Sequence, residues 1–159
     1  RFIGRDKSQL KSSLSVVIED GASLTLIERQ SGEGEYWKDI SLDITVGMNG
    51  ALKHYRFCEE DPFCVVTERT TVHLARDARY HVVVINGCAG FGRSEFTVGM
   101  EGEGSECDLS GLTLLSGKQH CDTTVCVEHK AAHCKSSQFF KTILNDNSRV
   151  GYQGKIHVH

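Results

Sequence analysis

The feature that most constrains this chain is a recurrence. The stretch "ITVGMNGALKHY" at 44–55 is echoed by "FTVGMEGEGSECDLSG" at 96–111, with Thr-Val-Gly-Met in both. Looser copies are "VVIEDGASLTLIE" from Val16 and "ARDARYHVVVI" from Ala75. Alignment on the small residue before each strand uses Ala22, Ala51 and Ala78, with Glu106 and Cys134 as weaker members. It gives a period of roughly 27–29 residues, in the range of solenoids and arrays. Inside each unit, alternation of apolar and polar residues marks strands: "SLTLIE", "ISLDITVG", "ALKHYRF", "RYHVVVI", "EFTVGM" and "TTVCVEH" are examples. The one stretch that could turn helical, "QFFKTIL", is rich in β-branched and aromatic residues. The chain reads as all-β.

A unit of two or three short strands with Gly, Asn and Asp corners cannot bury an apolar face alone. Stacked on a copy of itself it can, with pairing from coil to coil and like residues in columns. Glycines 21, 50, 102 and 104 are expected to supply the positive φ of tight corners. A jelly roll or sandwich would also show many short strands, but no fixed period. The expectation is therefore a single parallel β-helix domain over residues 1–159.

Composition narrows the function classes. A chain of 159 residues with 39% apolar and 25% charged residues is a soluble globular domain rather than a disordered one. The net charge is −3 and no lysine or arginine run exceeds two, which argues against nucleic acid as a partner. The longest apolar run, 82–85, is far short of the roughly 20 residues that cross a bilayer, so no membrane role is expected. The sequence opens on Arg1 without a leader and reads as a fragment of a longer protein. Seven cysteines, at 58, 64, 88, 107, 121, 126 and 134, cannot all pair within one chain. They read as mostly reduced, which implies a cytosolic or similarly reducing compartment.

The stretch "GKQHCDTTVCVEHKAAHCKS" at 117–136 gathers three histidines and three cysteines. Cys121 with Cys126, and His129 with His133, have ligand-like spacings. Only two residues separate the pairs, however, where zinc modules place about twelve or more. On a strand, His120, Asp122, Thr124, Cys126 and Glu128 share one face, and Cys121, Thr123, Val125 and Val127 the other. A closed zinc site is not expected, and Cys107, Cys121 and Cys134 read as interior packing. The glycine-rich "GCAGFGR" is followed by a strand rather than a helix, and "GMEGEGSE" carries three glutamates that would repel phosphate, so both are read as turns rather than phosphate loops. No nucleophile elbow occurs. Asp77, Asp122, Glu128 and Asp146 are the carboxylates that a polysaccharide lyase or glycosidase on such a solenoid could use, the alternative function for this chain. They read better as solvated corner or rim residues, and no catalytic, cofactor-binding or resident metal residue is assigned.

Four blocks carry a resemblance. "DARYHVVVINGCAG", "EGEGSECDLSGLTLLSGKQHCD", "HCKSSQFFKTIL" and "GYQGKIHVH", in this order and at these separations, resemble the SufB/SufD family of the SUF iron–sulfur cluster assembly system, nearest its SufD branch. The resemblance implies a right-handed parallel β-helix core and a non-enzymatic scaffold. It implies pairing with a SufB-like subunit and recruitment of the SufC ATPase through a C-terminal helical region. A transient iron–sulfur cluster would belong to the complex, with no cofactor bound by this fragment, in bacterial cytoplasm or plastid stroma. The Cys-x-His-Gly block that the family's SufD members bring to the assembly site is not found before His159, so those residues map onto no position here. The terminal strand, with Lys155, Ile156, His157, Val158 and His159, becomes the expected interface, open also to homodimer formation in isolation. Cys121, Cys126, His129, His133 and Cys134 remain candidates for transient handling of sulfur or iron, for which thiolate and imidazole are suited.

Overall fold

A computed structural model describes residues 2–5, 7–87 and 89–159. The alternation resolves into strands β1 (Phe2–Gly4), β2 (Ser8–Ile18), β3 (Ser23–Gly32), β4 (Tyr36–Val46), β5 (Ala51–Glu59) and β6 (Val65–Leu74). These are followed by β7 (Arg79–Asn86), β8 (Phe91–Met100), β9 (Glu106–Leu115), β10 (His120–His129), β11 (Lys135–Leu144) and β12 (Arg149–Val158). The described residues contain no helix. "QFFKTIL" is part of β11, paired with β9 along its whole length, so ladder pairing settles what its composition left open.

Odd strands form one sheet, β1-β3-β5-β7-β9-β11, and even strands the other, β12-β10-β8-β6-β4-β2. Every pairing is parallel, which a jelly roll would not give. Each coil contributes one strand to each sheet, and the core lies between the two. This is a β-helix of about five turns.

The register refines the period. Ser23 stacks on Ala51, Arg79, Glu106 and Lys135, steps of 28, 28, 27 and 29 residues. Hence the position before each odd strand is Ala22, Gly50, Ala78, Ser105 and Cys134. Ala51 and Glu106, aligned with it on sequence, lie one residue inside their strands. The two Thr-Val-Gly-Met copies are also out of register: Thr45 stacks on His73, and His73 on Gly99. An offset of two residues keeps inward positions inward, which is why the copies look equivalent.

The corner before the odd strands shows why the repeat tolerates different residues. Its left-handed position is filled by Gly21, Asn49, Asp77, Gly104 and His133, with φ of 68°, 55°, 56°, 71° and 59°. Asn and Asp tolerate this region better than other side chains. Gly50 and Gly102 do not hold it, contrary to expectation; they are glycine for space. A Cβ on Gly102 would lie 2.0 Å from the Arg76 nitrogen, and one on Gly50 would lie 2.9 Å from the Gly47 carbonyl. The stretch "GCAGFGR" is likewise only partly a turn, since residues 91–93 already belong to β8.

The interior is divided. Next to this corner it is apolar, with Ile44, Val46, Val72, Leu74, Val98 and Met100 fully buried between the sheets. Each such side chain contributes about 1.5–3 kcal/mol relative to exposure. At the opposite corner the inward positions turn polar.

Candidate functional site

The polar half of the interior is built by the ends of β3 and β5 and the starts of β4, β6 and β8. Glu28 and Arg56 occupy one column of adjacent coils. Arg56 Nε donates to Glu28 Oε2 at 3.0 Å, its NH1 to Glu68 Oε2 at 3.2 Å and its NH2 to Thr70 Oγ1 at 2.7 Å. Gln30 Nε2 donates to Glu28 Oε1 at 2.7 Å and also to Glu68 Oε1. Ser94 donates to Glu68 Oε2 at 2.8 Å. His54 lies between Glu28 Oε2, 3.0 Å from its Nε2, and the Tyr80 hydroxyl, 3.1 Å from its Nδ1. With the proton on Nε2, the ring donates to the carboxylate and accepts from the phenol. Nearby, Lys38 donates to Glu60 Oε1 at 2.6 Å, and Tyr36 donates to the other oxygen of Glu60.

All these side chains are buried. Burial alone would raise the Glu28 carboxyl, but Arg56 and the hydrogen bonds from His54 and Gln30 outweigh it and hold the group at about 2. Burial would likewise ease the proton off Arg56, yet Glu68 and Glu28 push its affinity the other way. Every oxygen of Glu28 and Glu68 is already accepting. Such a cluster fixes the pairing of β3, β5, β6 and β8 and leaves neither carboxylate open to a substrate; the buried Gln30 Oε1 is its one atom without a hydrogen-bond partner among the described residues.

A cavity of about 30 Å³ adjoins the cluster, lined among others by Cys58, Glu68, Asn86, Ser94 and Cys121. It has room for a water molecule and nothing larger. Burial, with Glu68 adding to it, pushes the Cys58 thiol well up and the Cys121 thiol to about 11. Burial also raises Cys64 to about 11 and lifts Cys107. These four are protonated packing residues, as expected of Cys107 and Cys121. All six described cysteines are free; Cys88 lies outside the described residues.

The candidates in 117–136 are not brought together. Cys121 points into the interior, whereas Cys126 is half-buried on the outer face of the even sheet, beside Lys155 of β12. His129 bonds Ser136 Oγ at 2.8 Å. His133 occupies the exposed left-handed corner, 3.6 Å from Glu103. Cys134 is half-buried, its Sγ 3.3 Å from Ser105 Oγ in the small-residue column. No group of three or more His, Cys, Asp or Glu among the described residues is arranged to hold a metal ion. The carboxylates suited to polysaccharide chemistry are equally dispersed. Asp77 and Asp146 are corner residues with positive φ, Asp122 bonds His120 at 2.9 Å, and Glu128 pairs with Lys130 at 3.1 Å. Asp122 and Glu128, on one face of β10, are six residues or about 20 Å apart along the strand. A glycosidase needs roughly 5–9.5 Å.

The expected interface residues Lys155, Ile156, His157 and Val158 lie on β12 and His159 directly follows it; the sole ladder partner of β12 among the described residues is β10. Ile156 is 54% and Val158 78% exposed, and Lys155 and His159 are also exposed, with His157 half-buried. Phe139, Phe140, Val150 and Tyr152 border a depression of about 330 Å³, with Phe140 and Tyr152 ring centroids 4.9 Å apart.

The comparisons with known proteins bear on this geometry. The SUF system FeS cluster assembly SufBD core domain matches residues 2–159. This chain belongs to the SufBD core family. It is 27% identical over 145 residues to the iron–sulfur cluster assembly protein SufD of Escherichia coli (strain K12), covering 89% of this chain and 34% of that one. It is 24% identical over 155 residues to an iron–sulfur cluster assembly SufBD family protein of Synechocystis sp., covering 90% of this chain and 34% of the relative. The chain thus spans about a third of the length of the curated relatives it matches. The SufBD core is the β-helix itself, and its ionic interior was missed on sequence because charges at inward positions look like outward ones. One signal was available: Glu28 and Arg56 are opposite charges one period apart.

Proposed function

We propose that this SufBD core acts as a scaffold without turnover of its own, in a SufD-like subunit of a SUF assembly complex. It pairs with a SufB-like subunit along its terminal coil, and a helical region outside the core recruits a SufC-like ATPase. The nascent iron–sulfur cluster is the cargo of the complex, not a resident cofactor of this chain. The observation that carries the reading is the outer edge of β12, which has β10 as its one ladder partner among the described residues and exposes Ile156 and Val158. A sheet edge with unpaired backbone groups is a template for a further strand, from SufB or from a second copy. A non-catalytic role is supported by the closed hydrogen bonding of the interior carboxylates and the protonated state of the buried thiols. A reducing compartment, bacterial cytosol or plastid stroma, is supported by the free cysteines.

The test is co-expression of the full-length parent protein with the SufB-like and SufC-like subunits of the same source. The three are expected to co-purify, and Ile156→Asp with Val158→Asp should reduce recovery of the SufB-like subunit at least tenfold, about 1.4 kcal/mol or more. Failure of the unaltered proteins to co-purify removes the scaffold assignment.

A further inference from the structure

The outer faces of the two sheets differ in kind. On the even sheet the central columns read Asp43–Thr71–Thr97–Cys126–Lys155 and Ser41–Arg69–Glu95–Thr124–Gln153. These are ordinary water-facing positions. On the odd sheet most of the corresponding positions are apolar, with Arg29, Ser110 and Lys141 the exceptions, whereas the outward Trp37, Val65 and Phe91 of the even sheet are confined to one marginal column. Phe57, Ile85 and Leu112 stack in one column. Ile27, Tyr55 and Val83 stack in the column beside it, which passes through Ser110 to end on Phe139. Leu114 and Ile143 extend the stripe on the other side. Ile27 is 68%, Phe139 59% and Ile143 62% exposed.

This face also has its own charge. The chain as a whole is acidic, with 18 lysines and arginines against 21 carboxylates. The outward positions of β3, β5, β7, β9 and β11 reverse that balance: Arg29, Lys53, Arg79, Lys135 and Lys141 face only Glu59, Glu106 and Asp108. Arg29 is paired with Glu59 at 2.6 Å, and Arg79 and Lys135 share Glu106. Lys53 and Lys141 make no ion pair among the described residues, and the Lys141 ammonium rests 5.2 Å from the Phe139 ring centroid.

We propose that the outer face of the odd sheet is a docking surface for an amphipathic helix of a partner protein, with glutamates or aspartates flanking its apolar side. Dimensions select the helix. The stripe is two to three columns wide and five coils long, about 19 Å at roughly 4.8 Å per coil. That is roughly 250 Å² of apolar surface, well under the ~800 Å² per partner of a stable dimer interface. A helix about 10 Å across covers it, and some 13 residues span it. One helical turn of about 5.4 Å nearly matches one coil, so apolar side chains at i, i+4, i+7 and i+11 meet successive coils. Acidic flanks answer the unpaired Lys53 and Lys141. This surface is separate from the edge of β12 and stands or falls apart from it.

The probe is a fluorescein-labelled 16-residue peptide, leucine on one helical face and glutamate along its flanks, titrated into the 159-residue chain by anisotropy. A lysine-flanked counterpart and anionic phosphatidylserine vesicles are run in parallel. The glutamate peptide is expected to bind roughly tenfold tighter than the lysine one. Ile85→Asp and the double variant Lys53→Glu/Lys141→Glu should each weaken it at least about fivefold, while Thr124→Asp on the even sheet leaves it unchanged. The double variant alters no buried side chain, so it reads docking even where Ile85→Asp unfolds. No binding, equal binding of both peptides, indifference to the lysine changes, or binding to vesicles alone would each overturn the proposal.

Discussion

A carboxyl group between two sheets is neutral unless its surroundings hold the charge, and at Glu28 they do. Its folded value of about 2 lies below the ordinary 4.5, so folding favours the ionised form. The resulting stability is fully present above about pH 4.5 and is lost as pH falls towards 2. A depression of this size corresponds to something on the order of 3 kcal/mol. Glu28→Gln should therefore cost roughly 3–5 kcal/mol at pH 7, because Arg56 is left buried against one carboxylate fewer. It should also flatten the slope of stability between pH 4.5 and 2. Urea unfolding across that range reads both effects; an unchanged slope would mean the ionic cluster does not hold Glu28 charged. The glycines separate by cause in the same assay. Gly102→Ala drives a Cβ into the backbone of Arg76 and should cost about 3 kcal/mol or prevent folding. Gly21→Asn should cost under about 1 kcal/mol, since no atom lies within 4 Å of that Cβ and Asn49 already holds the equivalent left-handed position one coil on.

Within one strand, alternation decides chemistry. Cys121 and Cys126 are five residues apart on β10, and that odd separation sends one inward and the other out. A water-soluble disulfide reagent added to native protein should modify Cys126 promptly and leave Cys58, Cys107 and Cys121 unmodified until denaturant is added; mass spectrometry of the peptides reads the order. Rapid labelling of Cys121 would contradict its burial. The same alternation made the strands and their facing legible in the sequence, and the period made the coil-to-coil pairing legible. Exact register was not, because a two-residue slip preserves every inward position, as the offset Thr-Val-Gly-Met copies demonstrate. The ionic interior was hidden for a related reason. Glu28, Gln30, His54 and Arg56 are in phase with Leu24, Leu26 and Leu52, but only a partner one coil away makes a charge at an inward position tenable. The outer face of the odd sheet was equally hidden, since its apolar residues break the alternation that identifies strands.

At the scale of the whole molecule, each coil touches only the coils beside it, so stability is a sum of nearest-neighbour interfaces. β6, β7 and β8 are paired on both sides, and with their coil neighbours they hold fully buried Val72, Leu74, Val82 and Val98. Among the described residues β11 and β12 have one ladder neighbour each, and their inward side chains Phe140 and Tyr152 are only partly covered. Opening the last coil exposes one interface, whereas opening a middle coil exposes two and breaks the ionic cluster. Amide hydrogen exchange should therefore be slowest in β6–β8 and at least ~100-fold faster in β11 and β12, a difference of about 2.7 kcal/mol in opening free energy. Uniform protection from end to end would mean the coils unfold as one block and the nearest-neighbour picture fails. If β12 pairs with a SufB-like strand as proposed, it gains a second ladder neighbour, and the complex should slow exchange in β11 and β12 while leaving β6–β8 unchanged. A helix docked on the odd sheet would instead cover side chains across all five coils without adding a ladder, and would leave the terminal amides fast. Exchange in the presence of each partner thus separates the two surfaces by which part of the molecule they quiet.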